Sequence, residues 1–351
     1  MMLSASYRCF LCLSIGLAFY AKDSHGDNTE YAPVDGFRNN LGQPTLGIAG
    51  SNFVRASPTA YSDGAYNMAG QDRPDPMDIS LEVHAGRSAR ASGFSRNSLQ
   101  AFYAQLVLDE VALVTPGCPP EYENMQLPEK HPLRNFTKRP QVYQRSLYDQ
   151  STGYLSGGPR QQINVASSFV DGGIIYGTSK TWASLIRSYS NGTLLADTAD
   201  ISSSFPKYND VGLPLINAPI PRDHEMKAVD RLFRLGNAKG HESPFLLALQ
   251  VIWFRWHNKV AADIAVASGA DLTDEEIFQR AKKMVVAHFQ KILVKDWLPA
   301  FLNGNQTNVP GEILPAYTKY DSRQHPGVTH EFLAAMDFRH TITPAAVWNL
   351  K

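Results

Sequence analysis

The sequence predicts a mainly α-helical protein with long ordered loops. Three long stretches carry apolar residues at helical spacing and end at recognisable stop signals. No set of alternating strands, internal repeat or heptad run accompanies them. Gly-, Pro- and Asn-rich strings that hold aromatics lie between, as expected of loops laid on a core. The chain has 351 residues, enough to bury a large core as one big domain or two. Its 33 basic and 33 acidic residues cancel, which argues against a nucleic-acid binder.

Residues 1–21 read as a secretory signal. Arg8 supplies a positive charge, Met1–Tyr7 carries no acid, and Cys9–Ala21 (CFLCLSIGLAFYA) is apolar throughout. The run is short for a bilayer span, which needs about 18 apolar residues, but suits a signal core. Gly16 and Ala18 place small residues at −3 and −1 of a cleavage after Ala18. The plainer alternative is a buried N-terminal helix. Sequons at Asn135, Asn191 and Asn305 agree with export. Cys9 and Cys12 fall in the signal, so Cys118 stands alone in the mature chain. It is either a buried free thiol or paired beyond residue 351.

Residues 22–95 read as an extended arm that packs on the core with little regular structure. Tyr31, Phe37, Phe53, Tyr61 and Tyr66 recur through it, against the alternative of a disordered leader. Residues 96–351 form the helical part. A first helix follows Ser98 and ends before Pro116, with Leu99, Phe102, Leu106 and Val107 as its buried stripe and Leu113 extending it. A second starts near Ser179, places Trp182, Leu185, Ile186 and Tyr189 at helical spacing and stops at Asn191–Gly192. Residues 194–224 are loop. The third has Ser243 as N-cap and Pro244 at its first position; "FLLALQVIWFRWHNKVAADIAVA" is apolar on most faces, which predicts a central helix. The last opens with a Thr273–Glu276 capping box. It sets Ile277, Ala281, Met284, Val285, His288, Ile292 and Leu293 on or near one face and ends at Pro299.

One stretch carries more than a helix. Arg234–Ala261, "RLGNAKGHESPFLLALQVIWFRWHNKVA", resembles the animal haem peroxidases. Their corresponding stretch runs from an Arg-x-Gly-Asp loop through a Glu to a helix ending Glu-His-Asn-Arg. Here the matching residues are Arg234-Leu235-Gly236-Asn237, Glu242 and Trp256-His257-Asn258-Lys259. "SSFVDGGIIYGTSKTWASLIRS" matches the same family in order. The arm from Tyr31, "TPGCPPEY" and "IWFRWHNKVA" resemble the extracellular peroxidase-like domain of the dual oxidases.

The resemblance implies an animal haem peroxidase-like helical domain that is C-terminally incomplete at residue 351. It implies haem b, with His340 in Phe338-Arg339-His340-Thr341 as axial iron ligand and Arg339 beside it in cofactor binding. Without the family match, His340 is an ordinary histidine on a helix. On the other side of the haem, Gln105 matches the family Gln, Asp109 stands where the family has His, and a slip of one residue would put Glu110 there. Lys239 replaces the family Arg, keeping the charge without the planar fork. These three would do the acid–base and electrostatic work on hydrogen peroxide. The family's haem-ester acids correspond to Leu108 and Glu242, so at most one covalent link remains. A calcium ion is implied by the places of Glu110, Ser167, the Phe169 carbonyl and Asp171, with Gly173 replacing a hydroxyl residue.

The expected function is therefore the extracellular peroxidase-homology domain of a hydrogen-peroxide-generating NADPH oxidase. Oxidation of a phenol or halide as small electron donor is expected to be weakened. The alternative is a non-catalytic module that docks on the oxidase domain or its maturation factor. The expected location is the extracellular side of the plasma membrane in a full-length protein, or secretion if the chain ends at 351.

Overall fold

A computed structural model describes residues 31–69, 73–84, 97–154, 157–216, 227–269, 271–303 and 319–336. The described part is mostly helical. Helix α1 spans Pro76–His84, α2 Leu99–Val111, α3 Gly173–Tyr176, α4 Lys180–Ile186, α5 Pro244–Ser268 and α6 Asp274–Lys291. A π-helical stretch, Ile292–Trp297, leads into α7 (Leu298–Asn303), and α8 is His330–Met336. Two short strands, β1 (Tyr122–Met125) and β2 (Gln141–Gln144), pair antiparallel with Tyr122 opposite Gln144. The sequence did not predict this hairpin: its residues are mostly exposed, so no alternation of buried and polar positions marks it.

The core is a sandwich of helices around α2 and α5. Leu106 and Val107 of α2, Ile174 and Tyr176 of α3, Leu246, Trp253 and Phe254 of α5, and Val285 and Phe289 of α6 are all buried in one cluster. Apolar burial of this kind is the main favourable term in folding. Helix α5 begins as expected: the Ser243 hydroxyl accepts from Leu246 N–H, and Pro244 occupies the first turn. Helix α6 begins with the full Thr273–Glu276 capping box.

Five expectations are corrected. Leu99 is 55% exposed, while every residue from Ala104 to Val111 is buried. Helix α2 is thus a central element with no one-sided stripe. It stops at Val111 because Asn164 takes over there: its amide donates to the Val111 carbonyl (2.8 Å) and accepts from Leu113 N–H (2.9 Å). Leu113 is buried, but in extended chain. Helix α4 ends at Ile186, short of Tyr189, because Arg187 turns its guanidinium to Asp274 (2.7 Å) and Glu275 on α6. Met284 of α6 is 48% exposed and Ile292, at the start of the π-helical stretch, 37%, whereas Phe278 and Phe289 of α6 fill the core. Pro299 does not end the run. It sits in the first turn of α7, after the π register in which Leu298 N–H bonds the Leu293 carbonyl.

The chain before α1 lies on the core mostly in turns, and α1 itself is regular structure in a stretch expected to have little. Phe53 is buried, its N–H bonds the Gln162 carbonyl (2.9 Å), and Val54 bridges to Thr329 in parallel. Asn135 and Asn191 are exposed; so is Cys118, which is therefore not the buried thiol expected as one of its two states. The signal stretch and Asn305 lie outside the described residues. No helix among those described is long and apolar enough to cross a membrane.

Candidate functional site

Gln105 and Asp109 are four residues apart on α2, so they share one face. The loop Arg234–Glu242 lies across that face. Its path requires Gly236, where an added Cβ would fall 2.4 Å from the Ile175 carbonyl carbon at α3. The loop then delivers two side chains to α2. Glu242 Oε2 accepts from the Gln105 amide at 2.9 Å. Asn237 Nδ2 donates to Asp109 Oδ2 at 2.9 Å, and Asn237 Oδ1 accepts from Lys239 N–H at 2.9 Å. That second bond fixes the amide's orientation, since a backbone N–H can bond only the oxygen end. Gln105, Asp109 and Asn237 are buried; Lys239 and Glu242 are half-buried. Glu242 precedes the N-terminus of α5, where the helix dipole favours a carboxylate.

The structure thus brings together Gln105, Asp109 and Glu242, three of the residues singled out in the sequence, and ties the backbone of a fourth, Lys239, to the same loop. Leu108, at the other ester position, is buried in the apolar core. His340 and Arg339 lie outside the described residues. Sequence reading noted Asn237 as part of a motif but missed its bond to Asp109. The signal was the amide at the end of Arg-Leu-Gly-Asn, where the resembled pattern has an acid.

Glu110 sits one residue on, about 100° further round α2, and belongs to a second cluster. Its Oε1 accepts from Gly172 N–H (2.6 Å) and its Oε2 from Ile174 N–H (3.0 Å), so it holds the start of α3. Ser167 donates to Asp171 Oδ2 (2.8 Å) and Phe169 N–H bonds Ser167 Oγ (3.2 Å). Asp171 Oδ1 is buried and has no hydrogen-bond partner among the described residues. Burial pushes Glu110 up to about 8, reinforced by the Asp171 charge, and burial pushes Asp171 up to about 6. Lys282 of α6 is buried beside them. Its Nζ donates to the Ala32 carbonyl at 2.7 Å and lies 5.7 Å from the centre of the Tyr176 ring. Burial depresses its ammonium, against the attraction of Asp171 and Glu110. The sequence reading passed over Lys282, although it follows Ala281 on the buried face of α6.

Glu110, Ser167, Phe169 and Asp171 are therefore adjacent, as expected, but their oxygens are largely engaged with the chain. A hard cation needs several free oxygens. Both Glu110 oxygens accept backbone N–H groups, Gly173 brings no hydroxyl, and an ammonium already stands close by. Among the described residues no group of three His, Cys, Asp or Glu side chains converges as metal ligands do.

Comparison with known proteins shows the family and the fold. The animal haem peroxidase family model matches residues 31–351. The dual oxidase of Drosophila melanogaster is 35% identical over 96% of this chain and 22% of its own length. Dual oxidase 1 of Homo sapiens is 36% identical over 91% and 20%. The chain thus spans about a fifth of the length of these relatives. Peroxidase A from Dictyostelium discoideum superposes with a TM-score of 0.75 at 24% identity, over 89% of this chain and 60% of that one. The fatty acid alpha-dioxygenase of Oryza sativa gives 0.60 at 19% identity, over 81% and 42%. Those two likenesses concern the fold.

Proposed function

The chain belongs to the animal haem peroxidase family, and from that premise we propose that it is the extracellular peroxidase-homology domain of a dual oxidase. In this reading residues 1–21 are the signal, 22–95 the arm and 96–351 the haem domain. Haem b is held by His340, with Arg339 beside it. The observation that carries the reading is the polar wall on α2, where Gln105 and Asp109 meet Glu242 and Asn237 of a separate stretch of chain that also bears Lys239. Such a buried polar wall on an otherwise apolar helix fits the peroxide side of a haem pocket. Haem, when bound, supplies the iron at which the O–O bond of hydrogen peroxide is cleaved.

The residues of the wall do the rest. Gln105, aligned by Glu242, presents a polar amide on the peroxide side. Asp109 is the group placed to hold a proton of the incoming peroxide. Lys239 brings positive charge toward the oxygen that leaves. A carboxylate at 109 repels the charge it should help expel, and an ammonium lacks the fork of a guanidinium. Oxidation of a phenol or halide donor is accordingly weak. With Leu108 in place of an acid, Glu242 is the one residue able to esterify the haem, and its bond to Gln105 competes with that. Calcium does not fit the donor set around Glu110 and Asp171.

A second reading has support in the same wall. If Asp109 and Gln105 serve only their partners Asn237 and Glu242, the domain is a docking module for the oxidase domain or a maturation factor. The test is the haem spectrum of the secreted chain and of His340→Ala. A Soret band that disappears or shifts in the variant supports axial ligation. A wild-type protein that is folded and free of haem overturns the enzyme reading in favour of the docking module.

A further inference from the structure

Asp109 and Asn237 form a complementary pair. A carboxylate can only accept, and the side chain that donates to it from the loop is an amide whose orientation is fixed by the Lys239 N–H. Both residues are buried, with 6% and 4% of their surface exposed. An acid at 237 would set two carboxylates in buried contact, and an apolar residue would leave the loop untied. The same amide reaches the backbone of Lys239, and just before Asn237 the chain is pressed onto Ile175 at Gly236. The path of the loop backbone at Lys239 therefore depends on Asn237.

Resting on the haem-peroxidase reading, we propose that Asn237 is the positioning residue of this wall. It holds the Asp109 carboxylate in one orientation and ties the loop bearing Lys239 and Glu242 to α2, so that the wall moves as a unit. Asn237 reaches both partners through its own side chain and acts on peroxide only through them. Its identity is coupled to the residue at 109: carboxylate and amide can change places, and two amides can still share one bond, but two carboxylates have no donor between them.

The experiment is a reciprocal cycle in the full chain: Asn237→Asp, Asp109→Asn and the double variant. Two quantities are read: the melting temperature at pH 7 and pH 5, and the haem Soret position with the rate of cyanide binding. Asn237→Asp lowers the melting temperature by roughly 5 °C at pH 7. Much of that loss returns at pH 5, where the two acids share a proton. In the double variant the amide stands on α2 and donates to a carboxylate on the loop. It melts within about 1 °C of wild type, and its Soret position and cyanide rate return as well. Additive losses in the double variant, or a loss in Asn237→Asp that does not depend on pH, overturn the proposal. If the melting cycle closes but no variant binds haem, the pairing stands and the peroxidase reading falls. If haem binds throughout and the cycle does not close, the reverse holds.

Discussion

Two neighbouring acids on one helix have opposite surroundings. Asp109 faces a loop and meets a neutral amide; Glu110 faces the start of α3 and meets two backbone N–H groups. The first belongs to a wall with half-buried, charged members at its rim. The second belongs to a belt whose polar groups bond one another. From Glu110 the belt passes along α3 to Tyr176, whose hydroxyl bonds His257 Nδ1 at 2.9 Å; His257 Nε2 bonds the Gly192 carbonyl at 2.9 Å. Because a carbonyl only accepts, the proton is on Nε2, and Tyr176 must donate. The belt's groups are committed to the chain, whereas the wall has groups that could turn to a ligand. Structural acids and working acids can thus sit side by side, distinguished by what their lone pairs already hold.

The belt should carry more stability than the half-buried rim of the wall, which variants can break or sharpen. The largest effect is expected for Glu110→Ala. It strips two buried N–H groups of their acceptor and should cost about 3 kcal/mol in urea unfolding. Next comes the pH dependence. Burial lowers His257 to about 4 from an ordinary 6.5. Its contribution is complete above pH 6.5 and is lost as pH falls through 4, worth roughly 3 kcal/mol. Glu110 is raised, so its contribution is complete below about pH 4.5 and is lost as pH rises through 8. The stability gap between wild type and His257→Asn should therefore narrow toward acid, and that for Glu110→Gln toward base. Equal, parallel slopes would mean that the two groups do not share the closed environment described. Tyr176→Phe is milder, about 1–2 kcal/mol, because it leaves His257 Nδ1 without a donor but keeps the ring packing.

What the sequence revealed was local. The α5 start at Ser243–Pro244 and the Thr273–Glu276 box involve residues within one turn, so spacing alone exposes them. The motif match added Gln105, Glu242 and Lys239, which the fold brings together. What it concealed was long-range. Helix α4 ends early through Arg187's bonds to α6, and α2 ends through Asn164. Phe278 and Phe289 outrank Met284 and Ile292 because α2 and α5 already occupy the face they fill. Lys282 looked like surface because lysine usually is; only the acids around it explain its burial. The Asp109–Asn237 bond joins residues far apart in the chain and has no periodic signature.

The smallest expected effect on stability is also the one that bears most directly on the wall. Lys239 is half-buried on the loop, tied down by its backbone N–H through Asn237. Its side chain is not part of the core, so Lys239→Arg should change unfolding by less than about 0.5 kcal/mol. A guanidinium at the same place keeps the charge and adds a rigid fork of donors that two oxygens of a peroxide can engage together. If the wall faces peroxide, the arginine variant should react faster than wild type, by several-fold, with its Soret position unchanged. The measurement is stopped-flow mixing of haem-loaded protein with hydrogen peroxide. Equal rates in Lys239→Arg and Lys239→Met would mean that charge at 239 does not reach the reacting oxygens. The wall would then be closed on itself like the belt, and the docking module would be the better account of the domain.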